Sequence, residues 1–241
     1  MNSGVALIHE LMNSPEEFVA KAGPNALLHE YFRGLPLDTL RPLLRHGNLL
    51  IQRAAVFIAS ELGGDGRALV DDVIPLLASA DREVAYDALI AVTAFTSSFD
   101  ADRFEHVIRA LENEDEVLRR LAMRMVSNSP TGTLQGALKR FRAFIQSDPE
   151  HRIGLTLLIK GDQLLSEEFQ KALAHGSPLI RRYAAIAARR LMKTMPKCIA
   201  SVASCDDPEL RTFAEGELNP PAWDSWSPAA SHGPPTDAPS N

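Results

Sequence analysis

Between residues 36 and 218 apolar side chains recur at helical spacing, interrupted at short intervals by polar turns. Helix starts are marked by Asn48, Asp81, Asp115, Asp148, Ser177 and Asp207, residue types whose side-chain oxygen accepts a first-turn N–H. Proline follows three of them, at Pro149, Pro178 and Pro208, where its missing N–H has no intrahelical partner. The starts lie 33, 34, 33, 29 and 30 residues apart, a period that predicts a stacked repeat.

Counting from each cap aligns the columns. Three residues on stand Ile51, Val84, Leu118, His151, Ile180 and Leu210; seven on stand Ala55, Ala88, Ala122, Leu155, Ala184 and Ala214. Both offsets fall on one helical face, and a small residue at a fixed place on it lets two helices approach closely. Four on stand Gln52, Ala85, Arg119, Arg152, Arg181 and Arg211. An apolar helical segment precedes each of these helices: 37–44, 68–77, 103–111, 134–145, 164–173 and 196–203. One such hairpin cannot bury its apolar faces alone, so neighbours must stack. Six units over residues 36–218 predict an all-α, right-handed or gently curved solenoid.

The ends differ from the middle. Residues 1–35 hold two short helical patterns, SPEEFVAKAG and NALLHEYF, expected to cap the exposed end of the array. Residues 219–241 carry six prolines in 23 residues and no long apolar pattern, a composition expected to leave most of the tail disordered. Both tryptophans, Trp223 and Trp226, lie there. Two readings stay open: they fold back over the last helix pair, or they form a peptide motif for another protein.

The segments LLRHGNLLIQRAA (43–55) and ALAHGSPLIRRYA (172–184) share a His-Gly pair. His46-Gly47 and His175-Gly176 fall in the turn inside a hairpin. There a glycine can end the first helix in a left-handed conformation, and a histidine complements the helix dipole. A turn-forming role is expected rather than a catalytic one.

These columns resemble HEAT repeats, in which an aspartate at the inter-helix turn is followed by an apolar-arginine pair and then alanine. DREVAYDA (81–88), DEVLRRLA (115–122), SPLIRRYA (177–184) and DPELRTFA (207–214) carry the resemblance. The stretch PLLRHGNLLIQRAAVFIASELGG (42–64) followed by ALVDDVIPLLASADREVAYDAL (68–89) is similar to bacterial HEAT-like proteins that act as toxin-neutralising immunity proteins. Arginine is absent four residues after the first two caps, so the inter-unit contacts it makes elsewhere are expected to differ there. Alkylpurine DNA glycosylases share the HEAT-like fold, and RRYAAIAARRL (181–191) resembles their basic helices. Those enzymes use tryptophans in a strongly basic groove, whereas residues 36–218 contain no tryptophan and the first half is acidic. Bilin lyases use such repeats too, but no chromophore-specific signal is present.

Charge is unevenly spread. Residues 1–120 hold 11 Lys/Arg against 19 Asp/Glu, residues 121–204 hold 13 against 5, and residues 205–241 hold 1 against 7. In an elongated array, where sequence order is spatial order, this makes a dipolar rod able to steer a charged partner. The overall charge of −6 argues against dedicated nucleic-acid binding. The arginines four residues after the caps are expected to be structural, reaching turn carboxylates of adjacent units. Arg53, Arg120 and Arg182, one position later, continue through Arg189 and Lys193 as a stripe, with Tyr86 in the same column. Together with the acidic Glu61 and Asp87 these are the candidate partner-binding residues, and a merely solvated face is the alternative.

No catalytic constellation is visible. No glycine-rich phosphate loop follows a strand, and the seven histidines form no HExxH or i, i+4 pair. Neither a cofactor nor a metal is expected. Cys198 and Cys205 have neither CxxC nor zinc-ligand spacing and read as reduced thiols. The N-terminus has no basic signal region, and the uncharged apolar stretch 88–99 is too short for a membrane span. The expectation is a cytoplasmic, mainly monomeric protein that binds another protein, a cationic toxin domain above all, and does not engage a membrane.

Overall fold

Side-chain caps open the second helix of nearly every hairpin. In the computed structural model, which describes residues 3–95, 101–143 and 148–218, Asn48 Oδ1 accepts the Leu50 N–H at 2.9 Å. Asp81, Asp115 and Asp207 do the same for Val84, Val117 and Glu209 at 3.1, 2.8 and 3.1 Å, and Ser177 for Ile180 at 3.4 Å. Asp148 departs from the pattern: its side chain makes no cap bond and instead receives the Arg109 guanidinium at 3.1 Å.

A matching set of acceptors lies two residues before the caps. His46 Nδ1 accepts the Asn48 N–H at 3.0 Å, and His175 Nδ1 accepts the Ser177 N–H at 3.0 Å. Ser79 Oγ and Asn113 Oδ1 take the same place in two other units, at 3.2 and 2.8 Å. The His-Gly pair is thus one version of a recurrent turn. Its glycines do not behave as expected, because the left-handed glycines are Gly34, Gly63 and Gly161, not Gly47 or Gly176. The imidazole acceptor closes the turn without a left-handed residue.

Helices α1 (Ser3–Asn13), α2 (Pro15–Ala20) and α3 (Gly23–Phe32) precede the array, and α2 and α3 pack on its first long helix. The six hairpins follow in order. The first pairs α4 (Arg41–Leu44), entered through a 3-10 turn at Leu37–Thr39, with α5 (Leu49–Glu61). The second pairs a segment containing α6 (Val70–Val73) with α7 (Arg82–Phe95). The third pairs α8 (Ala101–Arg109), extended by a 3-10 turn to Glu112, with α9 (Glu116–Asn128). Then come α10 (Thr131–Ala143) with α11 (Pro149–Lys160), α12 (Ser166–Leu173) with α13 (Pro178–Arg190), and α14 (Pro196–Ala203) with α15 (Pro208–Leu218). There is no strand among the described residues. The chain is an all-α solenoid of stacked hairpins.

The expected helix over 68–77 is broken. Residues Gly63–Leu69 and Ile74–Ala78 are 3-10 on either side of α6. Pro75 has no N–H to donate, and Gly63, Gly64 and Gly66 favour no helical conformation.

The two apolar columns form the seam between units. All twelve side chains are buried, and the six residues seven positions after the caps are fully so. One continuous apolar core runs from Leu11 to Ala214. Cap loss should be felt through this seam: Asn48→Ala is expected to cost about 1 kcal/mol, seen as a lowered melting temperature with an unchanged helical spectrum.

Charge pairs then tie each unit to the next. Asp81 receives Arg53 at 2.5 Å, Asp115 receives Arg82 at 2.5 Å, Asp148 receives Arg109, and Asp207 receives Arg181 at 3.1 Å. Every cap aspartate therefore meets an arginine from the preceding unit. In the first two units that arginine sits five and one residues after the cap, which answers for the missing arginine at the fourth position. In four units the residue at the fourth position also closes its own turn. Gln52 donates to the Leu44 carbonyl at 3.0 Å, Arg119 to Asn113 and Glu114 at 2.8 Å, and Arg211 to Cys205 at 2.8 Å.

In its second half the array closes on itself, contrary to the expectation of a rod. Helix α13 packs on α9 as well as on α11, and α15 reaches α9 too. The Glu209 carboxylate lies between Arg119, at 2.8 Å, and Arg182, at 3.1 Å. Residues 90 positions apart thus meet, so sequence order is not spatial order there.

Candidate protein-interaction surface

The candidate residues do not form one surface. Arg53 is held by Asp81 and, at 3.0 Å, by Glu83. Arg120 pairs along its own helix with Glu116 at 2.6 Å. Arg182 faces inward, donating to the Leu111 carbonyl at 3.1 Å and to Glu209. Arg189 bonds Asn128 at 3.2 Å, while Lys193 is exposed. Tyr86 is half-buried against the apolar core.

What looked like a binding stripe on α13 is largely internal adhesive. Arg181 donates to the His175 and Gly176 carbonyls at 3.1 and 3.3 Å in addition to Asp207. Arg190 donates to the Ser127 and Ser129 carbonyls at 3.0 and 2.6 Å, where α9 ends. A guanidinium at that place offsets the negative end of the helix dipole. The resemblance of 181–191 to a nucleic-acid-binding basic helix is weakened accordingly, since all four of its arginines have protein partners.

The acidic candidates converge better. Asp87, half-buried on α7, has its carboxyl pushed up to about 7, first by burial and then by repulsion from Glu83 and Glu61. Glu61 is exposed at the end of α5, so two adjacent second helices bring their carboxyl groups together. Among the described residues no cation pairs with Asp87. Asp72 is the contrary case, a fully buried carboxylate enclosed by Arg41 and Arg45.

One polar cluster escaped the sequence reading. His151 is 1% exposed, with Nε2 2.9 Å from Glu112 and Nδ1 2.9 Å from the Tyr183 hydroxyl. The available signal was a single histidine in a column otherwise apolar. Among the described residues no three His, Cys, Asp or Glu side chains gather as metal ligands, and Cys198 and Cys205 are free thiols. No helix among the described residues is long and apolar enough to cross a membrane. Trp223 and Trp226 lie outside the described residues.

No protein-family model matches the chain, and no curated protein matches it. Solved structures of similar outline include an engineered protein, 15% identical, covering 90% of this chain and 98% of that one at a TM-score of 0.49. A second engineered protein is 15% identical over 76% of this chain and 94% of its own, at 0.40. The archaeal HEAT-like repeats protein from Thermococcus onnurineus NA1 is 14% identical, covering 89% and 95% at 0.44.

Proposed function

We propose that this chain is a non-enzymatic, HEAT-like binding scaffold whose acidic first two units take a cationic protein, as an immunity protein takes the toxin it neutralises. The observation that carries this reading is the Glu61–Asp87 pair. Burial, and then the neighbouring carboxylates of Glu83 and Glu61, push Asp87 up to about 7, and no cation pairs with it among the described residues. A cation brought to that place relieves the repulsion and draws Asp87 into its charged form. The stacked seam keeps the surface rigid, so little ordering opposes docking. The basic second half supports a nucleic-acid role less well, because the α13 arginines are engaged within the fold.

The test uses the purified full chain and the product of the neighbouring reading frame, since toxin and antidote are typically encoded together. The association rate should fall about tenfold between about 50 and about 300 mM salt. Glu61→Lys should slow it several-fold more. Binding at neutral pH should also release protons from Asp87, visible as heats that depend on the buffer's ionisation enthalpy. Salt-independent association would remove the charge reading. Release of bases from alkylated DNA by the chain alone would favour a glycosylase instead.

A further inference from the structure

We propose that Glu112, His151 and Tyr183 form a pH-sensitive latch that fastens the third, fourth and fifth units together at neutral pH and loosens them in mild acid. Each member belongs to a different unit. Glu112 ends the first helix of the third, His151 stands on α11 of the fourth, and Tyr183 stands on α13 of the fifth. The imidazole occupies the buried seam position that is apolar in every other unit. Phe141 tilts against it at 4.9 Å between ring centroids, and Tyr183 meets it edge-on at 5.9 Å and 87°.

The protons in this cluster have one consistent arrangement. Tyr183 is fully buried, and burial holds its hydroxyl proton far above the ordinary range, so the hydroxyl is a donor in need of an acceptor. An ionised Glu112 can only accept. Tyr183 therefore donates to Nδ1, and Nε2–H donates to Glu112, which fixes the neutral ring in one tautomer. A second proton, added at Nδ1, removes the acceptor that the buried hydroxyl uses: the ring can then only donate to the phenol oxygen, and the hydroxyl hydrogen is left without its partner in the seam. That loss is what opens the latch.

The surrounding charges act in both directions. From α8, Arg109 opposes the imidazolium, although it is itself paired with Glu105 and Asp148. Arg140 on α10 also pairs with Glu105. Glu112 and Asp148 favour the imidazolium, and burial, the largest influence, opposes it, leaving His151 below its ordinary value. The sign follows. The unfolded chain takes up this proton near pH 6.5, about the value of a free histidine, and the folded chain only at lower pH. The latch's contribution is whole above that value and declines as pH falls toward the depressed folded one.

The experiment is a proton NMR titration of the histidine ring signals, with His151 assigned from its absence in His151→Leu. It is combined with hydrogen exchange of α9, α11 and α13 at pH 7 and pH 5. Expected is a His151 midpoint below the ordinary value that moves up in Tyr183→Phe, where no hydroxyl needs an acceptor. Exchange in those three helices should rise about tenfold more in wild type than in His151→Leu on going to pH 5, after correction for the intrinsic pH dependence. A His151 midpoint at or above the ordinary value, or the same acid response in both proteins, overturns the proposal. If His151→Leu does not fold, the Tyr183→Phe midpoint decides alone, and one unchanged from wild type counts against the latch.

Discussion

Glu209→Ala should destabilise the folded chain by about 3 kcal/mol, the low end of what removing one partner of a buried ion pair costs. The low end applies because Glu209, Arg119 and Arg182 keep 11%, 16% and 15% of their side-chain surface exposed. The loss is not that of one attraction. Two guanidinium groups would be left facing each other across a seam where the carboxylate had separated them, and neither could turn fully to water. The triple variant Arg119→Met, Glu209→Leu, Arg182→Met should recover most of the stability, since apolar replacements of a buried triad are often neutral or better. Urea unfolding of wild type, single and triple variants measures both effects. A single variant within about 0.5 kcal/mol of wild type would mean that the triad merely accompanies the packing.

Gly154→Ala should be nearly as damaging, although the usual rule points the other way. In an open helix, alanine for glycine stabilises by about 1 kcal/mol. At this position a Cβ would lie 2.0 Å from the Tyr183 ring, which is fully buried and cannot swing aside. Overpacking of that severity costs about 3 kcal/mol, outweighing the helical gain. The double variant Gly154→Ala, Tyr183→Leu should regain part of the loss, so the two substitutions must be non-additive in denaturant melts. Additive effects would show that the close approach of α11 and α13 does not decide stability there.

The repeat itself was legible because its devices are local. Caps and proline at the first helical position act within one helical turn, the alanine column shows at fixed short spacing from them, and apart from the Asp148 cap the structure uses them as the pattern implies. The break at Pro75 was legible in principle, since a proline inside an apolar run signals it, but the periodicity around it was stronger. The closure was not legible. Nothing in Arg119 or Arg182 distinguishes a side chain that reaches Glu209 from one in solvent, because that depends on the small rotation accumulated from unit to unit. For the same reason Arg182 and Arg189 read as a free stripe, although both bond to groups far along the chain. Acidic excess in the first half was visible at once; that Glu61 repels Asp87 required the stacking of α5 and α7.

An array held together by neighbours alone can be shortened from either end and grow from any point during synthesis. Arginines that reach back across 61 to 90 positions remove that freedom. Such long loops raise contact order and slow the final step of folding. A nascent chain halted before Pro208 would lack the carboxylate that Arg119 and Arg182 share. Emergence of α15 from the ribosome, not of the third hairpin, then sets the moment at which the closure can form.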